Sequence, residues 1–214
     1  MFNKFVFLRI CGNGYEKIDP VRFIGNFSSG KMGFALAEAA AIRGAEVTLV
    51  TGPTNETVDC QSITVVHVTS GDQMLEACTA NFAKADIAIM SAAVADYKPK
   101  VQATEKIKKN GATMSIELEK TTDILKNLGA AKQKQILVGF ALETNNELEN
   151  AKSKLVSKNL DLIVLNSLND KDATFKSDTN KITIIDKQNN CTDFELKSKF
   201  DVAQDILNSI ESLI

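Results

Sequence analysis

The stretch IDPVRFIGNFSSGKMGFALAEAAAIRGAEVTLVTG, residues 18–52, decides the fold. Its second half reads as a helix over 30–43 followed by an aliphatic strand over 45–51. Small residues, Ser28, Ser29 and Gly30, stand directly ahead of the helix, with Asn26 beside them. A helix start leaves backbone N–H groups without partners and carries a partial positive charge. A serine can cap such a start, and a glycine lets a ligand approach the main chain. The stretch therefore suits an anion, phosphate above all. An ordinary helix capped by Ser28 or Ser29, with a solvated Lys31, fits the same residues equally well.

Working outward, short aliphatic runs alternate with helical patterns. Strands are expected at 4–10, 45–51, 63–68, 85–92, 135–141 and 160–166. Most are continuous apolar runs, as parallel strands covered on both faces require. Helices are expected at 30–43, 71–83, 122–132, 146–158 and 198–214. This alternation predicts an α/β fold, a doubly wound and mainly parallel sheet, in one domain spanning 1–214. Two stretches break the rhythm. Residues 96–120 are charged and read as a loop feeding an edge hairpin strand through TMSIELE. Residues 166–190 are polar around KITIID and read as a small appended β element.

The 214 residues, 44% hydrophobic, suffice for one sizeable core. A net charge of −2 argues against nucleic acid as a partner. Cys11, Cys60, Cys78 and Cys191 form no C-x-x-C pair, which points away from a zinc site or disulfide framework and toward a reducing compartment. The apolar FVFL near the start is too brief for a membrane span, so a cytoplasmic location is expected. The single histidine, His67, sits in a strand-like run, where core or strand-face packing is expected and a His-based triad is not.

The chain carries neither a Walker A motif nor a full G-x-G-x-x-G, and Gly12 with Gly14 alone is a weak signal. A nicotinamide site usually has an acid at the end of its second strand. Here that strand ends in Thr51, and a Tyr-x-x-x-Lys pair begun at Tyr97 would meet Val101. Both features weigh against an NAD(P)-dependent oxidoreductase. In SAAVADYKP, Ala92, Ala93 and Ala95 leave room for a flat ring at a strand end, and Asp96 offers an acceptor, or simply forms a turn. The run EKIKK supplies Lys106, Lys108 and Lys109, and Lys154 and Lys158 stand four apart. Each lysine group reads either as a solvated face or as a grip on an anion. In KTTDIL, Thr121 or Thr122 can cap a helix whose free amides meet a ligand.

The motifs IDPVRFIGNFSSGKMG, SAAVADYKP, EKIKK, TTDIL, VGFALET, AKSKLVSKNLDLIVLN and FKSDTNKITII follow one another as in bacterial phosphopantothenate–cysteine ligases. The resemblance covers roughly residues 16–214. It implies a Rossmann-like fold, a homodimer, and a ligase that joins 4'-phosphopantothenate to cysteine with CTP and magnesium in coenzyme A biosynthesis. By motif, Asn26 matches the asparagine that holds the acyl-cytidylate, and Lys106 the catalytic lysine that also meets the nucleotide phosphates. Ser28, Ser29, Gly30, Asp96, Thr122, Asp123, Ile124, Leu125, Phe140, Lys154 and Lys158 match nucleotide-binding positions. The resemblance leaves the magnesium ligands unassigned and implies a flavoprotein decarboxylase as a partner. One departure stands out: relatives carry TAGGT-x-E or TAGPT-x-E in the first loop, whereas this chain has RICGNGYE. A different class, a nucleotide-binding module without ligase activity, fits a chain altered there.

Overall fold

The first apolar run folds as β1 (Val6–Cys11), which lies inside the sheet with parallel neighbours on both sides. The computed structural model describes residues 2–169 and 177–214. From β1 the chain makes a small antiparallel pair, β2 (Glu16–Lys17) and β3 (Phe23–Ile24), and then enters α1 (Lys31–Ile42). There follow β4 (Glu46–Thr51), β5 (Ile63–His67), α2 (Gly71–Phe82) and β6 (Ile87–Met90). A second small pair, β7 (Tyr97–Pro99) and β8 (Leu118–Lys120), precedes α3 (Ile124–Ala131), β9 (Ile136–Glu143), α4 (Glu147–Ser157) and β10 (Leu162–Ser167). The chain closes with β11 (Thr179–Asp186), β12 (Cys191–Ser198) and α5 (Lys199–Glu211).

The main sheet runs β12-β11-β10-β9-β6-β1-β4-β5. Its six parallel strands follow the 3-2-1-4-5-6 order of the Rossmann fold, with the order reversing between β1 and β6. Cores form on both faces. Leu36, Phe34, Val202 and Ile206 bring α1 and α5 to one face; Met74, Leu128 and Leu155 bring α2, α3 and α4 to the other. Burial on both sides explains why these strands read as unbroken apolar runs.

The departures from expectation have physical causes. The appended β element expected after residue 166 is β11 with β12, which extend the main sheet antiparallel from β10. β12 is mostly exposed and polar, as an edge strand can be, so it carries no apolar alternation to reveal it. The first part of the motif FKSDTNKITII falls outside the described residues. The hairpin expected within 96–120 joins β7 to β8 instead of the main sheet's edge, and of TMSIELE only Leu118 and Glu119 are in a strand. All three residues of β8 are exposed, so alternation there had no buried face to serve. As the expected helix spans imply, the β4–β5 connection is the polar, Pro53-bearing segment 52–62, without a helix. Of the two placements expected for His67, core or strand face, the core is excluded: it is exposed at the end of β5.

Candidate functional site

Two cavities open at the carboxyl ends of the parallel strands, where doubly wound sheets bind their ligands. The first, of about 190 Å³, is lined by Ser28, Ser29, Gly30, Ser91, Phe140 and Lys199, among others. The second is about 510 Å³ and is lined by Asp96, Thr122, Asp123, Ile124, Leu125 and Lys158, among others. That size lies within the roughly 300–1,000 Å³ of small-molecule pockets. Phe140 and Ala92 line both cavities, so one ring and one small residue form the wall between them.

The start of α1 is built differently from expectation. Neither Ser28 nor Ser29 is the N-cap: Gly30 is, at φ 86°, and no side chain caps the helix. Only glycine enters that left-handed region without strain. Ser29 Oγ accepts from the Lys31 amide at a long 3.4 Å, and the Ser29 carbonyl accepts from Thr54 Oγ1 at 2.7 Å. A helix of twelve residues thus begins at the first cavity with its amide end toward it. Lys31 pairs with Asp178 at 2.6 Å, and that bond raises its pKa. Burial, assisted by the Lys31 charge, pushes the Lys199 ammonium below the usual lysine range.

Asn26 is exposed and donates from Nδ2 to the Ala93 carbonyl at 2.9 Å, beside the first cavity. The unusual first loop holds it there. Asn13 bridges to Ala93, Ala93 N–H donates to the Gly12 carbonyl, and Asn13 Nδ2 donates to the Asn26 carbonyl. Tyr15 of the same loop stacks on Phe23 at 3.8 Å.

At the second cavity, neither Thr121 nor Thr122 caps α3. Asp123 does, accepting from the Lys126 amide at 2.9 Å, while Thr121 Oγ1 donates to the Ala95 carbonyl. Lys158 reaches Asp123 at 3.0 Å. Burial opposes ionisation of Asp123, but the Lys126 amide and the Lys158 ammonium outweigh it and hold the carboxyl below its ordinary range. Lys154 goes elsewhere, pairing with Glu143 at 2.5 Å, and lines neither cavity. The two lysines therefore do not converge on one point.

Lys106 is exposed on the segment between β7 and β8 and lines neither cavity. Its neighbour is tied down. Asp19, buried, accepts from the Ile107 amide at 3.1 Å, and Arg22 Nη2 donates to the Ile107 carbonyl at 3.0 Å. Ala103 N–H donates to the Ile18 carbonyl at 3.0 Å. Bonding to Arg22 holds the Asp19 carboxyl well below the usual carboxylate range. A depressed folded-state pKa contributes stability above the ordinary carboxyl value, about pH 4, and that contribution is lost as pH falls further. Asp19→Asn removes the charge, so exchange of the Ile107 amide should quicken by about tenfold. Hydrogen exchange followed by NMR reads this directly, and unchanged protection at Ile107 would show that the tie is not made through the carboxylate.

Sequence reasoning missed Asn166, Asn180 and Lys199, all lining the first cavity. Asn166 Nδ2 donates to Asn180 Oδ1 at 2.7 Å and to the Lys181 carbonyl at 3.0 Å. A signal existed for Asn166, a polar residue closing the aliphatic run LIVLN at the ligand end of a buried strand. Asn180 stands within the quoted motif FKSDTNKITII, but only the antiparallel return of β11 brings it alongside Asn166.

A family model described as the DNA/pantothenate metabolism flavoprotein C-terminal domain matches residues 6–213. The chain is 54% identical over 205 residues to a protein of an unknown prokaryotic organism named cysteine/cysteine sulfinic acid decarboxylase, covering 95% of this chain and 57% of that one. It is 46% identical to the coenzyme A biosynthesis bifunctional protein CoaBC of Bacillus subtilis (strain 168), covering 95% and 50%. Among solved structures, it resembles the C-terminal domain of a coenzyme A biosynthesis bifunctional protein CoaBC with a TM-score of 0.84 at 43% identity, covering 99% of this chain and 96% of that one. The chain spans about half the length of the curated relatives it matches.

Proposed function

The chain belongs to the DNA/pantothenate metabolism flavoprotein C-terminal domain family, and on that footing we propose that it is a phosphopantothenate–cysteine ligase. The proposed reaction consumes CTP in coenzyme A biosynthesis. The observation that carries this reading is the meeting of the two cavities at Phe140, one fronted by the amide end of α1 and the other by Asp96, Asp123 and Lys158. Triphosphate suits the first side, by charge and by amide donors. Base and ribose suit the second, where a ring can lie on Phe140 and carboxylates can accept from amine and hydroxyl groups.

In the proposed chemistry, a carboxylate oxygen of 4'-phosphopantothenate attacks the α-phosphorus of CTP and pyrophosphate leaves. The amine of cysteine then attacks the acyl carbon of the resulting acyl-cytidylate, CMP leaves, and the amine loses a proton. No side-chain nucleophile is required; the protein positions the reactants and stabilises charge. Asn26 sits one hydrogen bond from Ala93 at the cavity rim, where its amide can meet the acyl oxygen. Lys106 would turn toward the phosphates on its own flexible side chain, beside the backbone anchor at Ile107. A magnesium ion accompanying CTP would ride on the nucleotide's own phosphates, as this ion commonly does. Among the described residues no group of three or more acidic, histidine or cysteine side chains stands ready to hold one.

Further parts of the proposal concern assembly and place. Val21, Phe23, Phe27 and Tyr97 are exposed on or beside the two small hairpins, with Phe27 83% exposed, which favours burial against a second copy as a homodimer. Among the described residues no helix is long and apolar enough to cross a membrane. We place the chain in the cytoplasm, working alongside a flavoprotein decarboxylase. Against an NAD(P) oxidoreductase, β4 ends in Thr51, whose hydroxyl donates to the Gly52 carbonyl where a ribose-binding acid would stand.

The test is turnover with each of the four nucleoside triphosphates in the presence of 4'-phosphopantothenate and cysteine. Pyrophosphate and CMP release that needs phosphopantothenate, and is fastest with CTP, is expected. Folded protein that binds nucleotide without turnover would instead support a binding module. Asn26→Asp should leave pyrophosphate release near the parent rate and slow formation of the cysteine product by about tenfold, the worth of one hydrogen bond to a charged group. Single-turnover measurement of both products checks this; equal slowing of both would remove Asn26 from the second step.

A further inference from the structure

Arg9 is an unusual occupant of the sheet. It stands in β1 between Leu8 and Ile10, and only 1% of it is exposed. Its donors meet neutral acceptors: Nε the Gly33 carbonyl at 3.3 Å, Nη1 the Ile89 carbonyl at 2.9 Å, and Nη2 the Ser91 hydroxyl at 2.7 Å. Its guanidinium also lies 5.8 Å from the centre of the Phe140 ring. Among the described residues no carboxylate lies within ion-pair reach of it. The nearby Cys11 thiol supplies no counter-charge, because burial pushes its pKa up. Burial also lowers the pKa of the guanidinium to about 9, which leaves it charged at neutral pH.

A buried charge without a partner costs stability, so it is an odd choice for holding a sheet together. Gly33, Ser91 and Phe140, three of the four residues it touches, line the first cavity. The charge therefore lies one layer beneath that cavity, where water and salt screen it least. We infer that Arg9 is a specificity-determining residue of the first cavity, a buried cation beneath its floor that favours occupants in proportion to their negative charge. This deepens the proposed nucleotide reading and rests on it. The residue acts through the field and through Ser91, without touching the ligand.

The experiment is a charge ladder. Affinities of the full chain for CMP, CDP and CTP are measured by calorimetry, beside the thermal unfolding of the ligand-free protein, for the parent, Arg9→Met and Arg9→Lys. The parent should bind more tightly up the ladder. Arg9→Met should weaken CTP by about tenfold and CMP by far less, without lowering the ligand-free melting temperature. Because the charge is buried, the difference should persist in added salt. Arg9→Lys keeps the charge and should keep the ladder. Should Arg9→Met not fold, Arg9→Gln, which retains an amide donor for the strand carbonyls, takes its place in the same measurement. An unchanged ladder in the uncharged variant, or equal weakening of all three nucleotides, overturns the inference while leaving the ligase reading intact. A parent chain that binds none of the three overturns the nucleotide reading and the inference with it.

Discussion

Replacing Lys106 by glutamine is expected to slow pyrophosphate release by about a hundred- to a thousandfold while shifting the thermal unfolding midpoint by no more than about 2 °C. The two numbers come from opposite ends of the same side chain's situation. Lys106 is exposed, so its removal costs the folded state almost nothing. Its backbone neighbour is fastened by Asp19 and Arg22, so the segment keeps its path with or without the ammonium. In the proposed reaction, however, negative charge builds on the departing pyrophosphate, and one lysine brought to it provides stabilisation that water reproduces poorly. Single-turnover release of pyrophosphate, with a melting curve on the same preparation, separates the two effects. A large fall in melting temperature, or unaltered release, would make Lys106 a structural or idle residue.

The second large effect is on stability. Gly33→Ala should lower the melting temperature by about 10 °C, corresponding to about 3 kcal/mol at the upper end of overpacking penalties. A Cβ at Gly33 would stand 1.9 Å from the Cβ of Cys11 and 3.3 Å from its Cα. Neither side can retreat cheaply. Cys11 ends β1, which is paired with β4 and β6, and Phe34, Leu36 and Ala37 hold α1 in the core. The conflict lies at Cβ, so Cys11→Gly in the same chain should recover much of the loss, whereas Cys11→Ala should not. A double-mutant cycle in thermal unfolding measures that coupling. Unchanged stability of Gly33→Ala would mean that α1 can lift from the sheet, and the position of the cavity would no longer be fixed by β1.

The close approach at Gly33 also marks how far the sequence could be read. Parallel strands buried on both faces leave unbroken aliphatic runs, so residues such as those of β1, β4 and β10 declare themselves. Placement at the candidate site was legible where a motif keeps its residues together: Ser28 to Gly30 line one cavity, Thr122 to Leu125 the other, and Phe140 both. It was illegible where a side chain's direction depends on distant partners. Lys154 and Lys158 share a helical spacing, yet Glu143 draws one away and Asp123 the other. β12 is an edge strand held by pairing with β11, and polar pairing leaves no apolar period. Arg9 sits inside a hydrophobic run, where only the fold shows that its charge lies under the first cavity.

The most direct measurement is the position of bound nucleotide in crystals of the chain grown with CTP and magnesium. The phosphates should lie against the main-chain amides that follow Phe27, within reach of Asn26, with Lys106 drawn in over them and the base beside Phe140. Phosphates seated away from the start of α1, with Asn26 and Lys106 both remote from them, would contradict the account.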